Sequence, residues 1–281
     1  MEGVWVALLG LLTAGYFALA GFDYGVGLLY RFVGRDEPER ARALRAMTPF
    51  FLGNEVWLVA AVGVLFGAFP RLEGELLSGH RVPFVTVLVG LVLFTAAVQL
   101  RIGPFWDVFV VVGALVVAVG WGVLLGDVLG GPPVLWAFGL VSVFLLHGAV
   151  FLAWRLDDRA RVLVVARVLF APVALFVVAA VLLRGPVAAP AVGLAGAVVV
   201  LAALAGAWFA LRARAFRMAF AGTAVVCAAP ALAVFGARGV VTPGVMSHTP
   251  TLQALGWVAA VVLPLVLVFQ WATWRLSRAA R

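Results

Sequence analysis

Lysine is absent from this 281-residue sequence, and all 20 basic residues are arginines. The 12 acidic residues stop at Asp158, so the second half of the chain carries basic charge only. Charged residues of both signs make up 11% of positions, too few polar groups to cover a soluble domain of this size. The one cysteine, Cys227, sits in an apolar run, which excludes an intrachain disulfide. Only three histidines occur, His80, His147 and His248, and they are scattered. With the single cysteine they form no zinc-binding pattern, and the sequence contains no Walker loop and no nucleophile elbow. A self-contained redox centre is therefore not expected in this chain.

What fills the sequence instead is apolar: 65% of residues are hydrophobic, and the mean hydropathy is +1.18. About 20 apolar residues in a helix cross a hydrocarbon core roughly 30 Å thick, and the chain offers run after run of that length. Open strand edges are not tolerated in lipid, so the runs read as helices. The expected fold is all-α, a polytopic membrane bundle in a single domain over 1–281, with no room for a sizeable soluble part. Nine spans are expected, over 4–30, 49–70, 82–100, 104–127, 133–154, 162–183, 187–211, 217–237 and 251–274. Pro83, Pro104 and Pro133 fall near helix starts, where a missing N–H costs little. Pro230 and Pro264 fall inside spans, where kinks are expected. The first apolar stretch is too long for a signal-peptide core and has no positive flank, so it reads as a retained span.

Arginine placement orients these spans. With the N-terminus outside and the C-terminus in the cytoplasm, the inner segments carry Arg31, Arg35, Arg40, Arg42, Arg45, Arg101, Arg155, Arg159, Arg161 and Arg167. They also carry Arg212, Arg214, Arg217, Arg275, Arg278 and Arg281, leaving Arg71, Arg81, Arg184 and Arg238 outside. This follows the positive-inside rule, and a missed or invented span would break the alternation. The net charge of +8 then reflects arginines facing anionic headgroups rather than nucleic acid. Trp5, Trp106, Trp136, Trp154, Trp271 and Trp274 fall near expected interfaces, as aromatic belts do, while Trp57 and Trp121 lie deeper. The small-residue pairs Gly21/Gly25, Gly63/Gly67 and Gly122/Gly126 allow close helix approach, as in any membrane bundle.

Ionisable groups at bilayer depth cost at least ~3 kcal/mol by insertion scales, so each needs a partner or a purpose. Asp23, Glu55, Asp107 and His147 qualify, with Asn54 beside them. At ~1.5 Å per helical residue all four lie in the inner half of the membrane, Asp107 the shallowest. They read either as a relay admitting protons from the cytoplasm or as structural groups paired with Arg45 or Arg101; for Asp107 the structural reading is favoured. His147 could ligate a haem. His80 and His248 fall in outside loops, so no second intramembrane histidine could complete a bis-histidine site, and a hydrogen-bonding role is favoured.

Gly21-Phe22-Asp23-Tyr24-Gly25-Val26-Gly27 is followed by Gly53-Asn54-Glu55-Val56-Trp57-Leu58 and then by Ala68-Phe69-Pro70. This order and spacing resembles subunit II of the cytochrome bd quinol oxidases, specifically over about residues 15–70. The likeness continues more weakly through Arg101, Trp106-Asp107, Gly122–Gly126 and the Gly148–Arg161 region. It implies a prokaryotic cytoplasmic-membrane protein paired with a haem-bearing subunit I, with a small single-helix subunit as a further partner. The complex would oxidise quinol and reduce dioxygen to water. Haems b and d would reside in subunit I, and this chain would bind neither haem nor metal. Its own part would be to stabilise subunit I and to contribute to proton uptake.

By the same resemblance, Asp23, Asn54, Glu55 and Asp107 are proton-route candidates and Trp57 is an oxygen-path candidate. One departure stands out: the family usually has Trp-Asp before the Gly-Asn pair, where this chain has Phe51-Leu52. Glu55, about one turn further along the helix, is an acid that could take that place. A proton-coupled secondary transporter is the alternative reading of the buried acids. The absence of visible repeat halves and of acids in the second half of the chain weighs against it.

Overall fold

The computed structural model describes residues 2–157, 159–183, 190–237 and 246–279. Over these residues the chain folds into ten helices: α1 (Glu2–Val33), α2 (Glu37–Ala68), α3 (Pro70–Gly79), α4 (Arg81–Gln99), α5 (Trp106–Leu129), α6 (Pro133–Arg155), α7 (Ala160–Leu182), α8 (Pro190–Arg212), α9 (Phe216–Ala237) and α10 (Thr249–Ala279). Nine helices among the described residues, all but α3, are long and apolar enough to cross a membrane. Asp158, Arg184, Arg238, Arg281 and the expected start of the seventh span at 187–189 lie outside the described residues.

Two boundaries differ from the sequence reading for physical reasons. Helix α2 begins at Glu37, not 49, because about three charge-rich turns precede the apolar span without a break in the helix. Asp36 caps it by accepting from the Glu39 N–H at 2.8 Å, with Pro38 in the first turn and Glu37 and Glu39 facing the positive end of the helix dipole. Helix α3 is a short polar helix of 10 residues, falling largely between the expected spans 49–70 and 82–100. Helical structure continues through Pro49, Pro172, Pro230 and Pro264.

The first helix is the hub. It packs against α2, α5, α6 and α9, and its residues from Ala20 to Tyr30 are all buried. Glycine permits the closest of these contacts. A Cβ at Gly25 would collide with the Phe144 carbonyl and the Gly148 backbone, so α1 and α6 meet backbone to backbone. Gly67 and Gly122 also face close neighbours, whereas Gly63 faces open space and is not a packing glycine. Helix α10 is the outlier: it rests on α2, and most of its length is exposed.

Polar contacts define the two ends of the bundle. At one end Arg101 pairs with Glu37, Arg161 with Glu39, and Arg155 donates to the Ser277 carbonyl. These contacts gather the starts of α2 and α7 with the ends of α6 and α10, as the arginine alternation expects. At the other end Ser247 bonds the carbonyls of Gly67 and Ala68, and His80 lies 3.6 Å from Asp127. The aromatic-belt expectation holds only in part. Trp271 is exposed, but Trp5 and Trp136 are buried, and Trp154 stacks on Trp274 at 5.6 Å. In these inner positions indole area is worth more as core than as an interfacial anchor.

Candidate functional site

Consecutive residues on α1 and α2 meet in two back-to-back pairs. On one side Asn54 Nδ2 donates to Asp23 Oδ2 at 2.8 Å and to the Leu19 carbonyl at 3.1 Å. One end of the Gln270 amide, on α10, lies 3.0 Å from both Asn54 Oδ1 and Trp274 Nε1. Asp23 and Asn54 are wholly buried, and Asp23 Oδ1 has no hydrogen-bond partner among the described residues. Leaving a buried acceptor bare costs about 1–3 kcal/mol, a cost that packing alone does not explain.

On the other side the Tyr24 hydroxyl donates to Glu55 Oε1 at 3.2 Å. The chain of contacts runs on through the Tyr16 hydroxyl, 2.7 Å from that of Tyr24, to Trp121 Nε1 of α5, which donates to Tyr16 at 3.2 Å. Glu55 itself sits at the edge of an exposed apolar row on α2 formed by Leu52, Val56 and Val59. Leu52, in the place where the resemblance expects an acid, is thus on the outer face, and Glu55 follows it by three positions on a helix of 3.6 residues per turn.

Asp107 is differently placed. Its Oδ1 accepts from the Tyr30 hydroxyl at 2.8 Å and from Arg101 Nε at 2.9 Å, and its Oδ2 lies 3.2 Å from Arg40 Nε. Both oxygens are engaged at the arginine-rich end of the bundle. Partial burial pulls the Arg101 guanidinium down, but hydrogen bonds to Glu37 and Asp107 outweigh it and hold its pKa above the usual arginine value. The cluster is a charged clamp joining α1, α2 and α5 to the α4–α5 connection.

His147 stands apart from the acids. Its Nδ1 lies 2.8 Å from Thr223 Oγ1 of α9, its Nε2 lies 3.0 Å from the Ala18 carbonyl, and its ring stacks on Phe220. A carbonyl only accepts, so Nε2 carries the proton and Nδ1 accepts from the threonine hydroxyl. Neither nitrogen is left for an iron, so this environment does not fit haem ligation. Trp57 packs against both apolar clusters of the core, its ring filling the space beside Gly15, and its buried Nε1 has no partner among the described residues.

Sequence reasoning missed the tyrosines. Tyr16, Tyr24 and Tyr30 are the only three in the chain, all on α1 and all fully buried. That concentration was itself a signal, since a phenol buried in a membrane span needs a partner. Gln270 was missed as well; it is one of two amides on α10, the other being Gln253 near the helix start.

The sequence profile of the family described as cytochrome bd terminal oxidase subunit II matches residues 1–277. The chain belongs to that family. Among similar proteins, the cytochrome bd ubiquinol oxidase subunit 2 of Bacillus subtilis is 34% identical over 191 residues, covering 57% of this chain and 56% of that protein. The cytochrome bd-I ubiquinol oxidase subunit 2 of Escherichia coli K12 is 35% identical over 137 residues, covering 46% of this chain and 36% of that one. The matched region thus spans about half of the first relative and about a third of the second.

Proposed function

We propose that the chain is the haem-free subunit of a bd-type quinol oxidase, which oxidises quinol and reduces dioxygen to water. Its partner would be a haem-bearing subunit I in a prokaryotic cytoplasmic membrane. Family membership and the printed names of the relatives support this reading. The arginine excess orients the bundle with its N-terminus outside and the Asp107 clamp toward the cytoplasm. Haem would reside in the partner, a reading that the engagement of both His147 nitrogens supports.

The observation that carries the chain's own role is the pairing of Asp23 with Asn54 and of Glu55 with Tyr24 across α1 and α2. Asp23 keeps an unpartnered oxygen able to take a proton, and Asn54 and Gln270 line its approach. Glu55 borders the exposed α2 row, where a covering partner would place its own groups within reach of the carboxyl. Protons would arrive from the cytoplasmic end, and Glu55 would substitute for the family's acid at the Leu52 position. Asp107, hydrogen-bonded by Arg101 and Tyr30 and ion-paired with Arg40, fits the clamp role better than the route. Trp57 remains the candidate for lining an apolar oxygen path. The apolar face of this subunit would also steady subunit I.

The test is to purify the chain with its co-expressed partner and record a reduced-minus-oxidised spectrum and quinol-dependent oxygen uptake. A b- and d-type haem spectrum with oxygen consumption is expected. A chain that purifies alone, with neither signal, refutes the reading.

A further inference from the structure

The arginine-rich end holds a second polar feature that the proton route does not use. A crevice of about 580 Å³ opens where α1 and α6 end and α7 begins, beside the outer part of α2 and the end of α10. That volume is within the range of roughly 300–1,000 Å³ for small-ligand sites. Four guanidinium groups line it, those of Arg42, Arg45, Arg155 and Arg161, against two acids, Glu39 and Asp157. The acids do little to neutralise them. The Asp157 side chain is fully exposed and lies 3.9 Å from Arg159, on the solvent side. Glu39 Oε2 already accepts from the Arg35 N–H at 2.8 Å and stands 3.9 Å from Arg161.

The arginines are presented in a fixed pattern. Arg155 donates to the Ser277 carbonyl at 3.2 Å, and its guanidinium lies over the Phe50 ring. Arg42 and Arg45 are one turn apart on α2, and neither forms an ion pair among the described residues. Like charges at this spacing disfavour each other unless an anion lies between them. Helix α7 adds its own donors: its first turn enters the crevice through Arg161 and Val162, and no side chain among the described residues caps it. Uncapped N–H groups at the positive end of a helix dipole favour an anion. The floor is apolar, formed by Val33, Ala46 and Val162, at the level where the apolar spans give way to charge.

We propose that this crevice binds a phosphate-bearing anion, held by bidentate contacts from Arg42, Arg45 and Arg161 and by the start of α7. Guanidinium forks match phosphate oxygens in geometry and charge. At this depth the natural source is the headgroup of an anionic phospholipid, with its chains along α2 and α10; free phosphate is the other source of the same chemistry.

The test uses the purified complex, stripped of lipid by detergent exchange and examined by native mass spectrometry. Phosphatidylglycerol and phosphatidylcholine are titrated in turn, each with and without millimolar inorganic phosphate. Retention of phosphatidylglycerol over phosphatidylcholine by about ten-fold is expected, falling by about ten-fold in the Arg42→Gln/Arg45→Gln variant. The Arg71→Gln/Arg81→Gln variant, which removes two exposed charges at the opposite end, should bind as the unaltered protein does. Retention that survives phosphate identifies the lipid as the source, and displacement by phosphate identifies the free anion; both uphold the site. Equal binding of the two lipids with no effect of phosphate overturns it. So does equal retention by the Arg42→Gln/Arg45→Gln variant, or equal loss in both variants.

Discussion

Replacing Asp107 with asparagine separates a clamp from a proton carrier. In the folded chain its carboxylate meets Arg40, Arg101 and the Tyr30 hydroxyl, and its side chain is 3% exposed, against 20% for Arg40 and 15% for Arg101. The amide can still accept one hydrogen bond but brings no charge, so two largely buried guanidinium groups lose their main partner. Removing one member of a buried pair costs about 3–5 kcal/mol. The low end applies here, because half-exposed Glu37 remains beside both arginines. About 3 kcal/mol corresponds to a fall of roughly 6–12 °C in unfolding temperature for a chain of this order of size. Thermal unfolding of the complex in detergent, followed by intrinsic tryptophan fluorescence, measures this directly. The fall is expected in Asp107→Asn and largely reversed in Asp107→Glu. Turnover per intact complex should stay within about two-fold of the unaltered protein, below the ten-fold that 1.36 kcal/mol of barrier would produce. An unchanged unfolding temperature together with abolished oxygen uptake would refute the clamp and return Asp107 to the proton route.

Gly148→Val drives a branched side chain into the Gly25 backbone and should prevent recovery of the folded chain in the membrane fraction, while Gly63→Val, facing open space, should accumulate normally. His147→Phe removes hydrogen bonds to Thr223 and the Ala18 carbonyl but should leave the haem absorbance of the purified complex unchanged. Loss of a haem band would restore His147 as a ligand. Gln270→Leu deprives Asn54 of its α10 neighbour and should lower the unfolding temperature by a few degrees, about 1 kcal/mol of hydrogen bonding.

The spans were readable because apolar runs and arginine clusters report bilayer geometry residue by residue. The outer turns of α2 were not, since Arg40, Arg42 and Arg45 look like a loop until Asp36 is seen to cap a continuing helix. Asp23, Asn54 and Glu55 announced themselves by their cost in lipid, but their partners did not. Tyr24 reaches Glu55 across 31 positions, and Gln270 reaches Asn54 across 216, distances over which local pattern carries no information. Arg101 was foreseen as a partner for the inner acids, whereas the pairing of Asp107 with Arg40 depends on how α2 and α5 cross. Trp154 and Trp274 misled because interfacial belts and buried stacks share one composition and differ only in which way the helix faces.

The proposed function requires a carboxyl group at position 55 that passes protons. The direct measurement is quinol-dependent oxygen uptake by the purified complex carrying Glu55→Gln, followed across pH beside the unaltered protein and Glu55→Asp. Glutamine preserves an acceptor for the Tyr24 hydroxyl, so assembly and haem content should be normal. Turnover should fall about ten-fold or more, with partial recovery in Glu55→Asp. A fully assembled Glu55→Gln complex that reduces oxygen at the unaltered rate at every pH would contradict it.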